Sequence, residues 1–404
     1  MDGEWWPQVG APVAGGDIPP VAHLDWYIPK LGQGYSHDLS QSGLMMDWDW
    51  EKLLDRQVGQ LDKWWSLGKG DPNELVAELE GVSPDRVVCC AGATQAVQLA
   101  LMAALESRGK GSRGGSDERD GDNGSDGRMT RVAVEMPSYS PVTQSARLLG
   151  LETVPFHRHP DEERPSASPW HLDRETLSNI LPTVGALIIT PVLNPCGWSL
   201  TDEDHAWLVA ATAEHGVMLI ADEVYDHALK PEGLYNPFFA EGEHCISVSS
   251  LTKCHAMGNL RFGWLVASKA VAQAAQRAFR TTSALLSSPV ITMVAAAWPH
   301  LDRALERITM LRQANLPLLQ TVLEKHEIDW APPPAGLFGA FELPGKMSAF
   351  EVVETLGKKH DLLAVPGCMF DESLGRWLRV AWSIPADKFA AAMVALDALL
   401  SDLR

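Results

Sequence analysis

Short runs rich in β-branched residues alternate along the chain with longer stretches of helical period. Arg86 to Cys90, Arg131 to Glu135, Ala186 to Thr190, Val217 to Ala221, Cys245 to Ser249 and Phe262 to Ala267 have strand length and strand composition. Strands separated by helix-length segments predict an α/β fold with a mostly parallel sheet covered by helices on both faces. After about residue 285 the pattern changes. A helical stretch through Leu311 runs into the turn Ala331-Pro332-Pro333-Pro334-Ala335-Gly336, and Leu337 to Leu343, Leu362 to Val365 and Trp377 to Val380 read as strands. Phe389, Met393, Leu396 and Leu400 recur at i, i+4, i+7 and i+11, one apolar stripe of a closing helix. The division predicted is an irregular arm over 1–50, a large α/β domain over 51–285 and a smaller α+β domain over 286–404. Ser107 to Arg128 is almost all Gly, Ser, Asp and Arg. A segment so poor in apolar residues cannot offset its ordering entropy, so 107–128 reads as a disordered surface insertion.

Composition narrows the function classes. The 404 residues carry 33 Lys+Arg against 52 Asp+Glu, a formal charge of −19. That acid excess argues against binding a nucleic-acid backbone, which needs a basic stripe. No run of 18 apolar residues occurs, so no membrane span is expected. The six Cys (89, 90, 196, 245, 254 and 368) show neither zinc-site pairs nor the density of a disulfide scaffold. No apolar leader core follows Met1, and a soluble, reduced, cytoplasmic setting is the expectation. Seven of the fifteen Trp (5, 6, 26, 48, 50, 64 and 65) fall in the first 65 residues. Such crowding predicts an apolar surface laid over another part of the molecule.

In an open parallel sheet, ligands gather beyond the carboxyl ends of the strands. The residues there are Gly92-Ala93-Thr94, Pro137-Ser138-Tyr139, Asn194-Pro195-Cys196-Gly197, Asp222-Glu223-Val224-Tyr225 and Ser250-Leu251-Thr252-Lys253. Together they offer an amine, a carboxylate, a phenol, an amide, an aromatic face and a helix start, which suits an anionic aromatic cofactor bearing an aldehyde. Ser250-Leu251-Thr252-Lys253, with Arg261 eight positions after the lysine, resembles the S-x-x-K…R motif of fold-type I pyridoxal-phosphate enzymes, specifically the class I/II aminotransferases. Asn194-Pro195-Cys196-Gly197 is similar to their N-P-x-G motif and Asp222-Glu223-Val224-Tyr225 to their D-E-x-Y motif. Three such matches in order, 28 and 31 residues apart, carry more than any one alone. The resemblance extends over roughly 65–400 and implies a seven-stranded-type sheet in the large domain.

The resemblance also implies roles. Lys253 links covalently to the aldehyde of pyridoxal 5'-phosphate and, once freed, moves the proton between the substrate's Cα and the cofactor. Asp222 pairs with the pyridine nitrogen, and Tyr225 and Asn194 hydrogen-bond the ring oxygen. Tyr139 stacks on the ring. Gly92, Ala93, Thr94, Ser250 and Arg261 hold the phosphate, with the dipole of the helix from Thr94 to Leu105 assisting. Arg379 grips the substrate α-carboxylate, with Asn194 beside it. No metal is implied. Arg376 is the nearby competitor of Arg379, but it follows Gly375 outside the strand pattern and reads as surface charge. Plainer readings exist: an N-cap for Asp222, a core phenol for Tyr225, a turn residue for Asn194 and packing for Tyr139.

The implied reaction is transfer of an α-amino group between an amino acid and a 2-oxo acid. The alternative is a lyase or cyclase acting on an amino acid through the same cofactor. A homodimer is implied, with the arm near the substrate entrance. Many family members carry a Tyr where Trp64, Trp65 and Ser66 stand here, a departure at the intersubunit phosphate contact. Regulators that fuse this fold to a DNA-binding domain have a basic, helical front, whereas ten acidic and four basic residues stand here through Trp65.

Overall fold

The structure is a computed structural model that describes residues 21–31, 33–54, 71–111 and 130–403, and of 107–111 the backbone alone. Trp5, Trp6, Trp64, Trp65, Ser66 and most of the insertion at 107–128 lie outside the described residues.

The six runs of the large domain all become strands, and their edges match the sequence pattern to within a residue or two. They form an eight-stranded sheet in the order Val87–Cys90, Gly263–Val266, Cys245–Ser250, Met218–Asp222, Ala186–Ile189, Arg131–Met136, Glu152–His159, His171–Leu172. Only Gly263–Val266 and the two-residue His171–Leu172 run against their neighbours. Side chains alternate between faces, as the pleat requires. Ile188, Ile220 and Ile246 pack beneath helices Ala93–Gly111 and Lys269–Ser283, while Leu187, Leu219 and Cys245 pack against Leu177 and Leu208 on the other face.

Glu152–His159 is a strand the sequence pattern did not reveal. Its Pro155 and its polar residues disguise it. Pro155 is tolerated because the strand's outer side is paired only at Arg158 and His159.

The C-terminal strands Phe338–Glu342, Trp377–Ala381 and Val365–Pro366 form a separate antiparallel sheet. Its cluster includes Phe341, Leu378, Phe389 and Leu396, and also Trp26 and Leu39 from the front of the chain. His37–Asp38 pairs in parallel with Leu362–Leu363. The packing does not change at residue 286, where the sequence pattern put the boundary. Val294, Ala297 and Leu301 pack with Phe262 and Trp264 of the large sheet, and Ala304, Ile308 and Leu311 meet Tyr225 and Phe338. Only from Leu316 does helix Asp302–Lys325 join the C-terminal cluster. The reason is continuity: one 24-residue helix spans both bodies, and its apolar face changes neighbours along its length.

Candidate active site

Parallel strands in register end along one edge. Ile189 lies opposite Ala221, and Asp222 opposite Val248, so the segments that follow these strands converge. They line one pocket, formed by Ala93, Thr94, Tyr139, Asn194, Asp222, Tyr225, Ser250, Lys253 and Arg261, together with Val97, Val142, Thr190, Val224 and Thr252. Nine of the eleven site residues singled out from the sequence therefore meet there.

Gly92 and Arg379 stand just behind it. Gly92 has φ +92°, and a Cβ there would lie 2.7 Å from Arg261 Nη2 and demand a backbone unfavourable for any other residue. Gly263 packs against the Gly92 backbone, 2.7 Å from Gly92 Cα for an added Cβ, so two glycines let strand, helix start and Arg261 crowd together. Arg261 itself takes φ +48°.

Arg379 is 1% exposed. Its Nη1 donates to Asn194 Oδ1 at 2.9 Å and its Nη2 to the Ser40 carbonyl at 2.6 Å. Phe338 and Phe370 flank the guanidinium at 5.3 and 5.2 Å, and its buried Nε has no partner among the described residues. Arg376 is on the surface, paired with Glu342. Phe338 and Phe341 belong to the core.

Asp222 is buried at the end of its strand. Its Oδ1 has no partner among the described residues, and the helix that follows starts at Asp226 with Tyr225 at the cap position, so Asp222 does not cap it. Burial pushes its carboxyl up to about 7, against the pull of the Lys253 charge and the Val224 N–H. Lys253 keeps some exposure to the cavity while protein surrounds its amine. Desolvation, then repulsion from Arg379 and Arg261, lowers the amine to about 8, and Asp222 opposes them. Its Nζ donates to Ser42 Oγ at 2.7 Å. Tyr225 accepts from Asn194 Nδ2 at 3.4 Å, and burial raises its phenol. Burial also takes Tyr139 up to about 12.

The Glu of the D-E-x-Y segment is structural. Glu223 Oε1 accepts from Phe238 N at 2.8 Å and Ser247 Oγ at 2.6 Å, stapling the loop after Tyr225 to the neighbouring strand.

The resemblance put the front of the chain near the substrate entrance, but sequence reasoning named none of the residues it brings there. A second opening beside the first is lined by His23, Tyr27, Ser40, Gln41, Ser42 and Gly43 together with Tyr139, Asn194 and Lys253. These residues carry no motif, and only long-range pairing brings them here. Among the described residues no His, Cys, Asp or Glu cluster could hold a metal, and no helix is long and apolar enough to cross a membrane.

A mostly parallel sheet sandwiched by helices, with a lysine, a buried carboxylate and a helix start at its carboxyl edge, defines a fold-type I pyridoxal-phosphate enzyme. Residues 124–396 match the family model for aminotransferase class I and II, and the chain belongs to that family, whose cofactor is pyridoxal phosphate. The chain is similar to YdcR of Escherichia coli K12, named an uncharacterized HTH-type transcriptional regulator. Identity is 28% over 320 residues, covering 74% of this chain and 60% of that protein. It is also 25% identical over 232 residues to aromatic-amino-acid aminotransferase 2 of Thermococcus litoralis, covering 55% and 59%. The match thus spans about 60% of the length of each of these relatives. The fold resembles that of a PLP-dependent aminotransferase from Streptococcus suis, with a TM-score of 0.77 at 21% identity, covering 96% of this chain and 99% of that one.

Proposed function

We propose that the protein is an aminotransferase that moves an α-amino group between an amino acid and a 2-oxo acid. The observation that carries this is the meeting in one pocket of an amine lowered to about 8 and a buried carboxylate whose Oδ1 has no partner among the described residues. The residues fit the family's cofactor. Asp222 Oδ1 is free to meet a ring N–H, and Lys253 is placed for the aldehyde. The start of helix Ala93–Gly111, Ser250 and Arg261 form a cradle for a dianion. Tyr225 and Asn194 would hold the ring oxygen, and Tyr139 would cover a ring face.

When bound, the cofactor supplies a ring that takes up the electrons released as a bond at the substrate's Cα breaks. Asp222 keeps the ring nitrogen's proton in place. Lys253, whose lowered pKa makes its neutral form more accessible than an ordinary lysine's, would accept a proton from the substrate's Cα and hold it at Nζ. Arg379, whose Nε has no partner among the described residues, would bind the α-carboxylate and so fix which Cα bond is broken. The Phe338 and Phe370 faces keep water from that guanidinium.

We also read the chain as a homodimeric cytoplasmic enzyme, with the arm and the C-terminal part forming a smaller domain. The decisive experiment incubates the cofactor-loaded protein with a panel of amino acids and no oxo acid. Stoichiometric conversion of the cofactor to its amine form supports aminotransfer. Continuous release of ammonia, sulfide or pyruvate would instead establish the lyase reading, and a cyclised product the cyclase.

A further inference from the structure

The front of the chain touches the catalytic lysine both with backbone and with a side chain. Lys253 Nζ donates to Ser42 Oγ at 2.7 Å across 211 residues of sequence. Because an ammonium can only donate, the Ser42 hydroxyl turns a lone pair to the lysine. The Tyr225 ring lies 5.9 Å from the same amine, and Tyr225 accepts from Asn194 as Asn194 accepts from Arg379.

The segment bearing Ser42 is fastened on both sides of it. The Ser40 carbonyl accepts from Arg379 and the Gly43 carbonyl from Ser383 Oγ at 3.0 Å, while Leu44 N donates to the Lys253 carbonyl at 2.8 Å. A Cβ at Gly43 would come within 3.3 Å of the Thr252 carbonyl, so the backbone lies directly on the lysine loop. Asp38 accepts from both the N–H and the hydroxyl of Ser40. The Ser42 hydroxyl is therefore held in place.

We propose that Ser42 is a positioning residue for the reaction: its hydroxyl is the dock that holds the Lys253 amine whenever the amine is free, on a backbone fastened to the lysine loop and to Arg379. The proposal rests on the aminotransferase reading. A long amine with several rotatable bonds loses entropy each time it is brought to the substrate, and a fixed acceptor confines it to one place between proton transfers. The same acceptor favours the ammonium form. Asp222, Cys254, Tyr225, Arg261, Arg379 and His23 are the other titratable or charged groups around this amine, and each is still present when Ser42 is replaced.

The test begins with the apoprotein. Lys253 is labelled by an amine-acylating reagent across a pH series and its labelling midpoint is read by mass spectrometry. Ser42→Ala should lower the midpoint by about one pH unit, and Ser42→Thr, which keeps the hydroxyl, should follow the unaltered protein. An unchanged midpoint in Ser42→Ala, or Ser42→Thr behaving like Ser42→Ala, would overturn the proposal. In the loaded enzyme, Ser42→Ala should slow the half-reaction about tenfold with amino-acid half-saturation unchanged, and an effect confined to half-saturation would count against it. If the unaltered enzyme reacts with no amino acid, the aminotransferase reading fails, while the apoprotein labelling still decides whether Ser42 holds the lysine.

Discussion

Lys253 and Asp222 are opposite cases of the same physics. Each is an ionisable group held in a desolvated pocket, and burial disfavours the charged form of both, lowering the amine to about 8 and raising the carboxyl to about 7. Replacing Lys253 with Ala should remove covalent cofactor attachment, read by borohydride reduction and mass spectrometry, and should slow turnover about 10²–10⁴-fold. The pH consequence for Asp222 has a definite sign. Below 3.8 the carboxyl is protonated in the folded and unfolded apoprotein alike, and above about 7 both are ionised with the folded state bearing the burial cost. Its destabilisation therefore grows as pH rises through that window. Lys253 acts the other way, its cost complete below about 8 and relieved as pH rises toward 10.5. Apoprotein carrying Asp222→Asn should match the unaltered protein near the acid end of the window and melt at a higher temperature at neutral pH and above. The residue types of this pair were legible in sequence because their motifs follow strands directly. Their charge states were not, since desolvation depends on what surrounds the pocket.

At the scale of elements, the sequence was clear where the pattern was strong. Six runs rich in β-branched residues became six strands of the large sheet, and the apolar stripe after Ala386 became helix Ala386–Leu403. It was unclear where pairing overrode local composition, as in Glu152–His159, whose Arg158 is 1% exposed and held by Glu135 and the carbonyls of Thr190 and Pro191. Helix Asp202–Glu214 shows a local rule obeyed far from the site. Thr201 caps it by accepting from Asp204 N at 3.1 Å, and Asp202, Glu203 and Asp204 oppose the helix dipole in its first turn. Thr201→Ala should cost about 1 kcal/mol of stability by denaturant melting and leave the half-reaction rate unchanged.

The whole molecule joins segments from opposite ends of the chain. Trp26 packs into the C-terminal cluster and donates to Glu354 at 3.0 Å, and Trp48 donates to the His255 carbonyl at 3.0 Å with Trp50 beside it, ring centroids 6.1 Å apart. The described part of the tryptophan crowd is thus packing that seats the arm over the lysine loop. If the chain is the homodimer proposed above, light scattering should give twice the 44.1 kDa of one chain, and a monomeric mass would remove that part of the proposal. The sequence by itself determined six of the sheet's eight strands, the order of the functional segments that follow them and the cofactor family, because strand period and short motifs are local and survive without context. Only the tertiary structure decided that Ser40 and Ser42 reach Arg379 and Lys253, that Arg379 lies behind the cavity wall, and that one helix bridges both bodies. Those facts depend on contacts between residues hundreds of positions apart, which no local pattern encodes.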